Sequence, residues 1–268
     1  MSIITISRGS FSKGREVAEK VAQRLSYATL SREVLLETSE DFNIPEIKLI
    51  HVLHDAPSIF ERFTFGRERY LAHIEAAILE HFQQDNVVYH GLAGHFFVRH
   101  ISHVLKVRII ADIGERIKTE MARENISREM ALERLKKDDH QRREWSRSLY
   151  GVDTWDPSLY DLVVHIHKLK VDDAVDIICH TAGLKQFKTT AESQQALDDL
   201  ALAARVKGAL VETYPTVKVS VHGGVAMVHV KASGMQEAQI IDDIHALTGT
   251  ITGVREVKVH LVPTTLLE

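Results

Sequence analysis

The sequence predicts an α/β fold in two parts: a parallel sheet flanked by helices over residues 1–183, and a smaller α/β domain over residues 197–268. Three observations support this prediction. Short β-branched segments alternate with amphipathic helical patterns through the first part, as in a parallel α/β sheet. Residues 184–196 then turn polar and lose periodicity, which predicts a linker. Beyond them, two alternating apolar segments flank His222-Gly223-Gly224, which is a clear hairpin pattern.

The first part contains short apolar segments of the kind that form buried parallel strands. These strand candidates are residues 2–7, 86–91, 105–111 and 160–166. Helical patterns lie at residues 15–25, 67–83 and 124–151. The last of them is heavily charged, and Ser127 is placed to begin it.

The second part has an apolar pattern of its own. The predicted elements are a helix from about Leu197 to Thr213, hairpin strands over 217–221 and 225–230, a second helix over 235–247 and a last strand over 253–262. At roughly 70 residues, this part is near the minimum size for a self-sufficient core. We therefore predict a small separate domain.

Composition excludes several classes of protein. Hydrophobic residues make up 44% and charged residues 26%, as in an ordinary soluble globular protein. The formal net charge of −4 argues against a nucleic-acid or other polyanion binder. No apolar run approaches the roughly 20 residues of a membrane span. The start at Met1 does not resemble a signal peptide and Cys179 is the single cysteine, which together favour a reducing, cytoplasmic compartment.

The turn between the first strand and the first helix carries the clearest chemical pattern. Gly9 and Gly14 have the G-x-x-x-x-G spacing of a phosphate-binding loop, in which backbone N–H groups and a helix N-terminus face the phosphate. Arg15 and Glu16 stand where such a loop carries Lys and Ser or Thr, and Phe11 adds a bulky side chain. The alternative interpretation is a surface turn with a basic cluster, and the spacing alone does not decide between the two.

Several segments, in order along the chain, carry a resemblance. They are "ISR" (6–8), "GREVAEKVAQRL" (14–25), "LKVRIIADIGERIKTEM" (105–121), "DDHQRREW" (138–145), "YGVDTWDPSLYDLVVHI" (150–166) and "DDAVDII" (172–178). From residue 3 to about 182 the chain resembles the cytidylate kinase-like family, a branch of the P-loop nucleoside monophosphate kinases. It departs from the family pattern at Phe11 and Lys13, which replace loop glycines, and at Leu92, where the family commonly has arginine after glycine.

The resemblance implies a P-loop fold with a helical lid, ATP with Mg²⁺ as phosphate donor, and a nucleoside monophosphate or similar acceptor. It implies a nucleotide-binding role for Arg8, Gly9, Ser10, Ser12, Lys13, Gly14, Arg15, Glu16 and Arg32. Arg142 and Arg143 match the lid arginines that clamp donor phosphates, and Arg15 could replace the missing lysine. The alternative for the lid arginines is a solvated helix face with ordinary ion pairs. Because several catalytic groups are substituted, two hypotheses stay open: a working phosphotransferase, or a weakened domain that senses nucleotide.

Histidines cluster in the first part, at His90, His95, His100 and His103. They lack the Cys-x-x-Cys or His-x-x-x-His spacing of common metal sites, so we predict no resident metal there. Local hydrogen bonding is the plainer explanation for these side chains.

The second part resembles the BON domain, a small α/β module. The resemblance rests on "LAARVKGALVE" (202–212), "VKVSVHGGVAMVHV" (217–230) and "GVREVKVHLV" (253–262). It implies binding rather than catalysis, with a ligand or a protein partner that the residues do not name. An exposed sheet edge in such a module could also pair with a second copy of the chain.

Overall fold

The computed structural model describes residues 2–9, 12–31, 66–91, 94–232 and 237–263. Within these residues the strands are β1 (Ile3–Arg8), β2 (Ala28–Ser31), β3 (Val87–His90), β4 (Val104–Ala111), β5 (Leu162–Ile166), β6 (Lys218–His222), β7 (Val225–Ala232) and β8 (Glu256–Pro263). The helices are α1 (Gly14–Leu25), α2 (Gly66–Phe82), α3 (Gly94–Phe97), α4 (Ile113–Glu124), α5 (Arg128–Tyr150), α6 (Val171–Ala182), α7 (Ala191–Leu210) and α8 (Glu237–Thr248). Short 3₁₀ turns lie at Pro157–Leu159 and Lys185–Phe187.

The described residues belong to two compact units. The first contains the described residues up to 31 and those between 84 and 190. The second contains α2 together with the described residues from 191 onward. The domain boundaries inferred from sequence, at residues 183 and 197, stay a prediction.

The first unit is built on a parallel sheet with the strand order β2-β3-β1-β4-β5. The central strand β1 pairs in parallel with β3 on one side and β4 on the other, and Ile3, Ile4 and Ile6 are fully buried. The predicted parallel α/β fold is therefore confirmed. Strand β2 was not predicted, because Ala28 and Thr29 are exposed and the segment lacks an apolar pattern.

Helices α1 and α6 cover this sheet. Periodicity predicts an apolar α1 face of Val17, Val21, Ala22 and Leu25. The first three are buried with apolar residues of β1, β4 and α6, and Leu25 is partly buried against them. On the outside, Lys20 bonds Asp172 at 2.9 Å and Arg24 pairs with Asp176. These pairs are exposed and contribute little, so the apolar core holds the two helices together.

Helices α4 and α5 form the predicted helical lid. The Asp112 carboxylate accepts hydrogen bonds from the backbone N–H groups of Gly114 and Glu115, which caps α4. Ser127 caps α5 as its position predicted, by accepting from the N–H of Met130. Between the helices, Ile117, Ala131 and Leu135 form a small apolar cluster.

The second unit contains a three-stranded sheet in the order β6-β7-β8, built from the described residues. Strands β6 and β7 are antiparallel and are joined at Gly223 (φ 55°) and Gly224 (φ 84°), so the predicted hairpin is confirmed. Strand β8 adds to β7 in parallel. Apolar residues of α7, α8 and the sheet form the core, including Val206, Val228 and Ile244.

Two helices differ from the sequence-based description. Helix α7 begins at Ala191, inside the segment 184–196 that was predicted to be an aperiodic linker. The error arose because this end of α7 is polar, although Ser193 and Leu197 are buried. Helix α2 differs because the sequence placed it in the first part of the chain, whereas it belongs to the second unit and lies against α7. There Lys207 bonds Glu75 at 3.2 Å, and the Arg69 guanidinium lies 3.2 Å from the Glu212 carboxylate.

Among the described residues, no helix combines the length and apolar character needed to cross a membrane.

Candidate functional site

A cavity of about 330 Å³ opens in the first unit at the carboxyl ends of β1 and β4. This edge of an open parallel sheet is where ligands of α/β proteins bind, because the loops that leave the strands converge there. The lining comprises Ser7, Arg8, Gly9, Ser12, Arg108, Ile110, Ala111, Arg116, Asp139, Arg142, Thr154, Trp155, Pro157 and Val163.

The charge of this lining favours an anion. Four arginines, Arg8, Arg108, Arg116 and Arg142, reach the cavity, against one carboxylate, that of Asp139. Guanidinium groups bind phosphate and carboxylate through paired N–H donors, and several of them around one cavity raise the local positive potential. A phosphorylated ligand fits this lining better than a neutral or cationic one.

The loop after β1 forms one wall of the cavity. The Ser12 hydroxyl donates to the Gly9 carbonyl at 3.0 Å, and Lys13 takes the left-handed conformation (φ 61°) immediately before α1. A Cβ atom at Gly14 would lie 2.6 Å from the Cβ of Arg8, so only glycine lets α1 begin this close to the end of β1. The positive end of the α1 dipole is thereby held beside the loop.

A buried polar network supports the floor of the cavity. The Tyr160 hydroxyl donates to the Thr154 carbonyl at 3.0 Å and lies 3.3 Å from the Ser7 hydroxyl. Arg108 donates to the same Tyr160 oxygen at 3.2 Å. These bonds orient the Arg108 side chain, which lies on the sheet, toward the carboxyl end of β1.

His95 packs behind Tyr160, with the two ring centroids 5.0 Å apart. Burial, reinforced by the positive charges of Arg108, Arg99 and Lys106, lowers the pKa of His95 to about 3. The imidazole is therefore neutral at physiological pH, and it adds no charge beneath the arginines.

The two predicted lid arginines have different environments. Arg142 lines the cavity. Arg143 instead bonds both carboxylate oxygens of Asp153, at 2.9 and 3.0 Å from its Nε, and its guanidinium lies 4.6 Å from the centre of the Trp155 ring. Arg147 adds a further bond to Asp153 at 2.7 Å. The pKa of Asp153 is well below its usual range, mainly because of the hydrogen bond from the Arg143 guanidinium. The Trp155 backbone N–H and Arg147 lower the pKa further.

A second ion pair joins the two lid helices beside the loop. Arg116 of α4 bonds Asp139 of α5 at 2.9 Å, and both side chains are largely buried. The Asp139 carboxylate would be 3.9 Å from a Cβ built at Gly9, so the lid reaches the phosphate-loop candidate.

The structure thus brings together Arg8, Gly9, Ser12 and Arg142 of the predicted site. Lys13 and Gly14 lie at the start of α1, next to this cavity wall. Arg15 and Glu16 point elsewhere: Arg15 is 71% exposed and bonds Glu19 at 2.8 Å, and Glu16 lies 3.5 Å from Lys20. Ser10 and Arg32 lie outside the described residues, as do Phe11 and Leu92.

Sequence reasoning did not select Arg108, Arg116, Asp139 or Tyr160. Arg108 had a readable signal, since it is an arginine within an apolar strand that ends at the binding edge of the sheet. Arg116 and Asp139 had none, because a single arginine or aspartate in a charged helix looks like ordinary surface until the two helices are placed together.

Within the described residues, no group of three or more His, Cys, Asp or Glu side chains is arranged to hold a metal ion. His90, His95 and His103 are buried in the first unit.

The parallel sheet of the first unit carries an arginine-lined cavity at the carboxyl ends of its strands, beside a glycine-bounded loop. The model of the cytidylate kinase-like family matches residues 3–168, and the chain belongs to that family.

Two relatives and one solved structure illustrate the similarity. The chain is 26% identical to a cytidylate kinase of Sulfolobus acidocaldarius over 185 residues, which is 69% of this chain and 96% of the relative. It is 34% identical to a cytidylate kinase of Thermococcus kodakarensis over 92 residues, which is 34% of this chain and 47% of the relative. A crystal structure of an uncharacterised protein from Eubacterium ventriosum aligns with a TM-score of 0.53 and 22% identity over 68% of this chain and 98% of that one, which supports the fold alone.

Proposed function

We propose that this chain binds ATP in the cavity of the first unit and transfers its terminal phosphoryl group to a nucleoside monophosphate or a similar small acceptor. The observation that carries the proposal is the convergence of Arg8, Arg108, Arg116 and Arg142 beside the glycine-bounded loop, in a chain of the cytidylate kinase-like family. Phosphoryl transfer is catalysed mainly by positioning and by positive charge around the phosphate oxygens, and these residues offer both.

Each part of the site has a role in this proposal. The loop from Gly9 to Gly14 receives the donor phosphates at the start of α1. Arg142, carried by the lid, places a guanidinium on them from the opposite side. Arg116 and Asp139 hold the two lid helices together while this happens.

The residues that line the cavity are better suited to bind ATP than to hold Mg²⁺ through protein ligands. Glu16 occupies the usual place of the magnesium-binding hydroxyl and lies 3.5 Å from Lys20, and the Ser12 hydroxyl is bonded to Gly9. Mg²⁺ is commonly held by phosphate oxygens and water with few protein ligands, so it can enter bound to the nucleotide. In that role it would neutralise phosphate charge.

A nucleotide sensor without catalysis is the second candidate, and the placement of Arg15 favours it. Arg15 could replace the missing loop lysine only by leaving its bond to Glu19, since in the present conformation it does not line the cavity. A site that keeps its phosphate-binding arginines but lacks this cation would retain affinity and lose rate.

Two measurements on the full chain test the proposal. Isothermal titration calorimetry with ATP and Mg²⁺ should show binding, and the absence of both heat and thermal stabilisation would refute both candidates. A coupled assay across nucleoside monophosphates then separates them: acceptor-dependent ADP production supports the phosphotransferase, whereas ATP binding without turnover of any acceptor supports the sensor.

We further propose that residues 197–268 form a BON-like module that binds a ligand or protein partner, or a second copy of this chain, within the cytoplasm. The antiparallel hairpin β6-β7, the added strand β8 and the flanking helices support this proposal. Strands β6 and β8 are the two edges of this sheet among the described residues, and edge strands can accept another strand. Sedimentation equilibrium of the full chain tests self-association: a monomer at every concentration would exclude a second copy as the partner.

A further inference from the structure

We propose that Trp155 is the base-stacking platform of the nucleotide site, and that it gives the site a preference for purine nucleotides. The inference rests on the proposed function, because it concerns the same cavity, and it adds the residue that recognises the base.

The cavity lining combines cationic and apolar residues, the two kinds of surface that a nucleotide needs. The loop and the arginines make up its cationic portion. Beside them and the polar side chains of Ser7, Asp139 and Thr154, the lining contains five apolar residues, Ile110, Ala111, Trp155, Pro157 and Val163. A nucleotide has charged phosphates at one end and a flat, weakly polar base at the other.

Trp155 is unusually exposed for a residue of its size. It is 55% exposed, although a large aromatic side chain normally buries most of its surface. Trp155 also belongs to the cavity lining. An aromatic ring in a concave, cationic site is well suited to stack on a base.

The surroundings of Trp155 hold it ready for such a contact. Its backbone N–H donates to Asp153 at 3.0 Å. The Arg143 guanidinium lies 4.6 Å from the indole centroid, and Asp153 anchors it through a bidentate bond. Pro157 begins the 3₁₀ turn that follows, which restricts the backbone on the other side. An indole already ordered before binding loses little conformational entropy when a base stacks on it.

In this conformation Arg143 would therefore act on the ligand through Trp155, whereas Arg142 lines the cavity itself. A cation on one face of the indole and a base on the other is a favourable stack, because both contacts use the π surface. Purines offer a larger π surface than pyrimidines, so ATP and GTP should bind more tightly than CTP and UTP.

Tryptophan fluorescence offers a direct test, since the chain has two tryptophans. In Trp145→Phe, Trp155 is the sole indole, and titration with ATP should quench its emission. Inorganic tripolyphosphate, which lacks a base, should bind without comparable quenching. In Trp155→Phe, which leaves only Trp145, ATP should cause little change in emission.

Affinity provides the second readout. Trp155→Leu should weaken ATP binding in calorimetry about tenfold, which is the scale of losing one base–aromatic stack, and should leave tripolyphosphate binding unchanged. Trp155→Phe should recover most of the loss, because phenylalanine restores a ring. Circular dichroism should show the same secondary structure and thermal midpoint for the variants as for the parent protein.

The outcomes separate this inference from the proposed function. Equal ATP affinity in the parent and in Trp155→Leu would overturn the role of Trp155 and leave ATP binding intact. An equal loss of ATP and tripolyphosphate binding in Trp155→Leu would assign the effect to the phosphate site and also overturn it. If the parent protein binds neither ATP nor tripolyphosphate, the proposed function and this inference both fail.

Discussion

Arg143 and Asp153 form a bidentate ion pair, with the Arg143 Nε 2.9 and 3.0 Å from the two oxygens of the carboxylate. The pair connects α5 to the segment that precedes β5. Both of its members also contact Trp155: Asp153 accepts a hydrogen bond from the Trp155 backbone N–H, and the Arg143 guanidinium lies over the indole ring. An arginine that the family resemblance assigned to the phosphates is thus engaged by a carboxylate ten positions along the chain.

Asp153→Asn should lower the free energy of unfolding by about 1–3 kcal/mol at pH 7, because it weakens charge-assisted bonds to two arginines. The pKa of Asp153 lies below its usual range in the folded state, so this contribution is fully present above the unfolded pKa, about 3.9. It is lost as pH falls from there through the folded pKa. Urea denaturation from pH 7 down to pH 3 should show the difference between parent and variant narrowing below about pH 4.

Asp138→Asn serves as the control for this measurement, since Asp138 lies on α5, the helix that carries Arg143, but is not part of the Arg143–Asp153 pair. It should change the unfolding free energy by less than about 0.5 kcal/mol. A gap between parent and Asp153→Asn that stays constant down to pH 3 would contradict the assigned role of the carboxylate.

Arg142→Gln should reduce kcat/KM for phosphoryl transfer by roughly 10- to 100-fold, because it removes a guanidinium from the cavity lining. Arg142→Lys should recover only part of this loss, since an ammonium group lacks the paired donors. Arg128→Gln is the matched control, as Arg128 is exposed at the start of the same helix. Steady-state kinetics with varied ATP would count against the site if Arg142→Gln and Arg128→Gln behaved alike.

Gly14→Ala should impair both stability and ATP binding, since its Cβ would lie 2.6 Å from the Cβ of Arg8 and would force α1 away from β1. We expect a loss of about 1–3 kcal/mol, as for other overpacked sites. Gly208→Ala, within α7, meets nothing nearer than 3.8 Å and should stabilise the protein by about 0.5–1 kcal/mol. Thermal unfolding of the two variants should therefore shift in opposite directions, and a stabilised Gly14→Ala would show that the close approach is not required.

His95 should make the protein less stable as pH falls from 7 to 5. The folded pKa is about 3, so the folded state keeps His95 neutral while the unfolded state takes up a proton near pH 6.5. The unfolded state binds more protons in this range, and the expected loss by pH 5 is about 2 kcal/mol.

His95→Phe should remove this part of the pH dependence, because the position is apolar and lies against Phe96 and Tyr160. Unfolding free energies of parent and variant, measured every half unit of pH, test the assignment. Parallel curves would mean that His95 binds its proton equally well in the folded and unfolded states, and would contradict the lowered pKa.

The periodicity of the sequence was sufficient to predict the main sheet, because β1 and β3 are apolar runs buried on both faces, and β4 and β5 are short apolar runs with one buried face. It also predicted the β6-β7 hairpin and the Ser127 cap, which depend on neighbours within a few residues. The sequence did not predict strand β2 or the first turns of α7, because their local composition is polar or mixed. These segments adopt strand and helix structure through packing against the rest of their unit.

The sequence by itself determined the fold class, the glycine-bounded loop and the presence of Arg8 and Arg142, since these follow from local patterns and from the order of the family segments. The tertiary structure alone decided which charged residues meet. It joined Arg116 to Asp139 and Arg143 to Asp153. Long charged side chains have many rotamers and similar local preferences, so their partners are set by the helices and strands that pack around them and not by spacing along the chain.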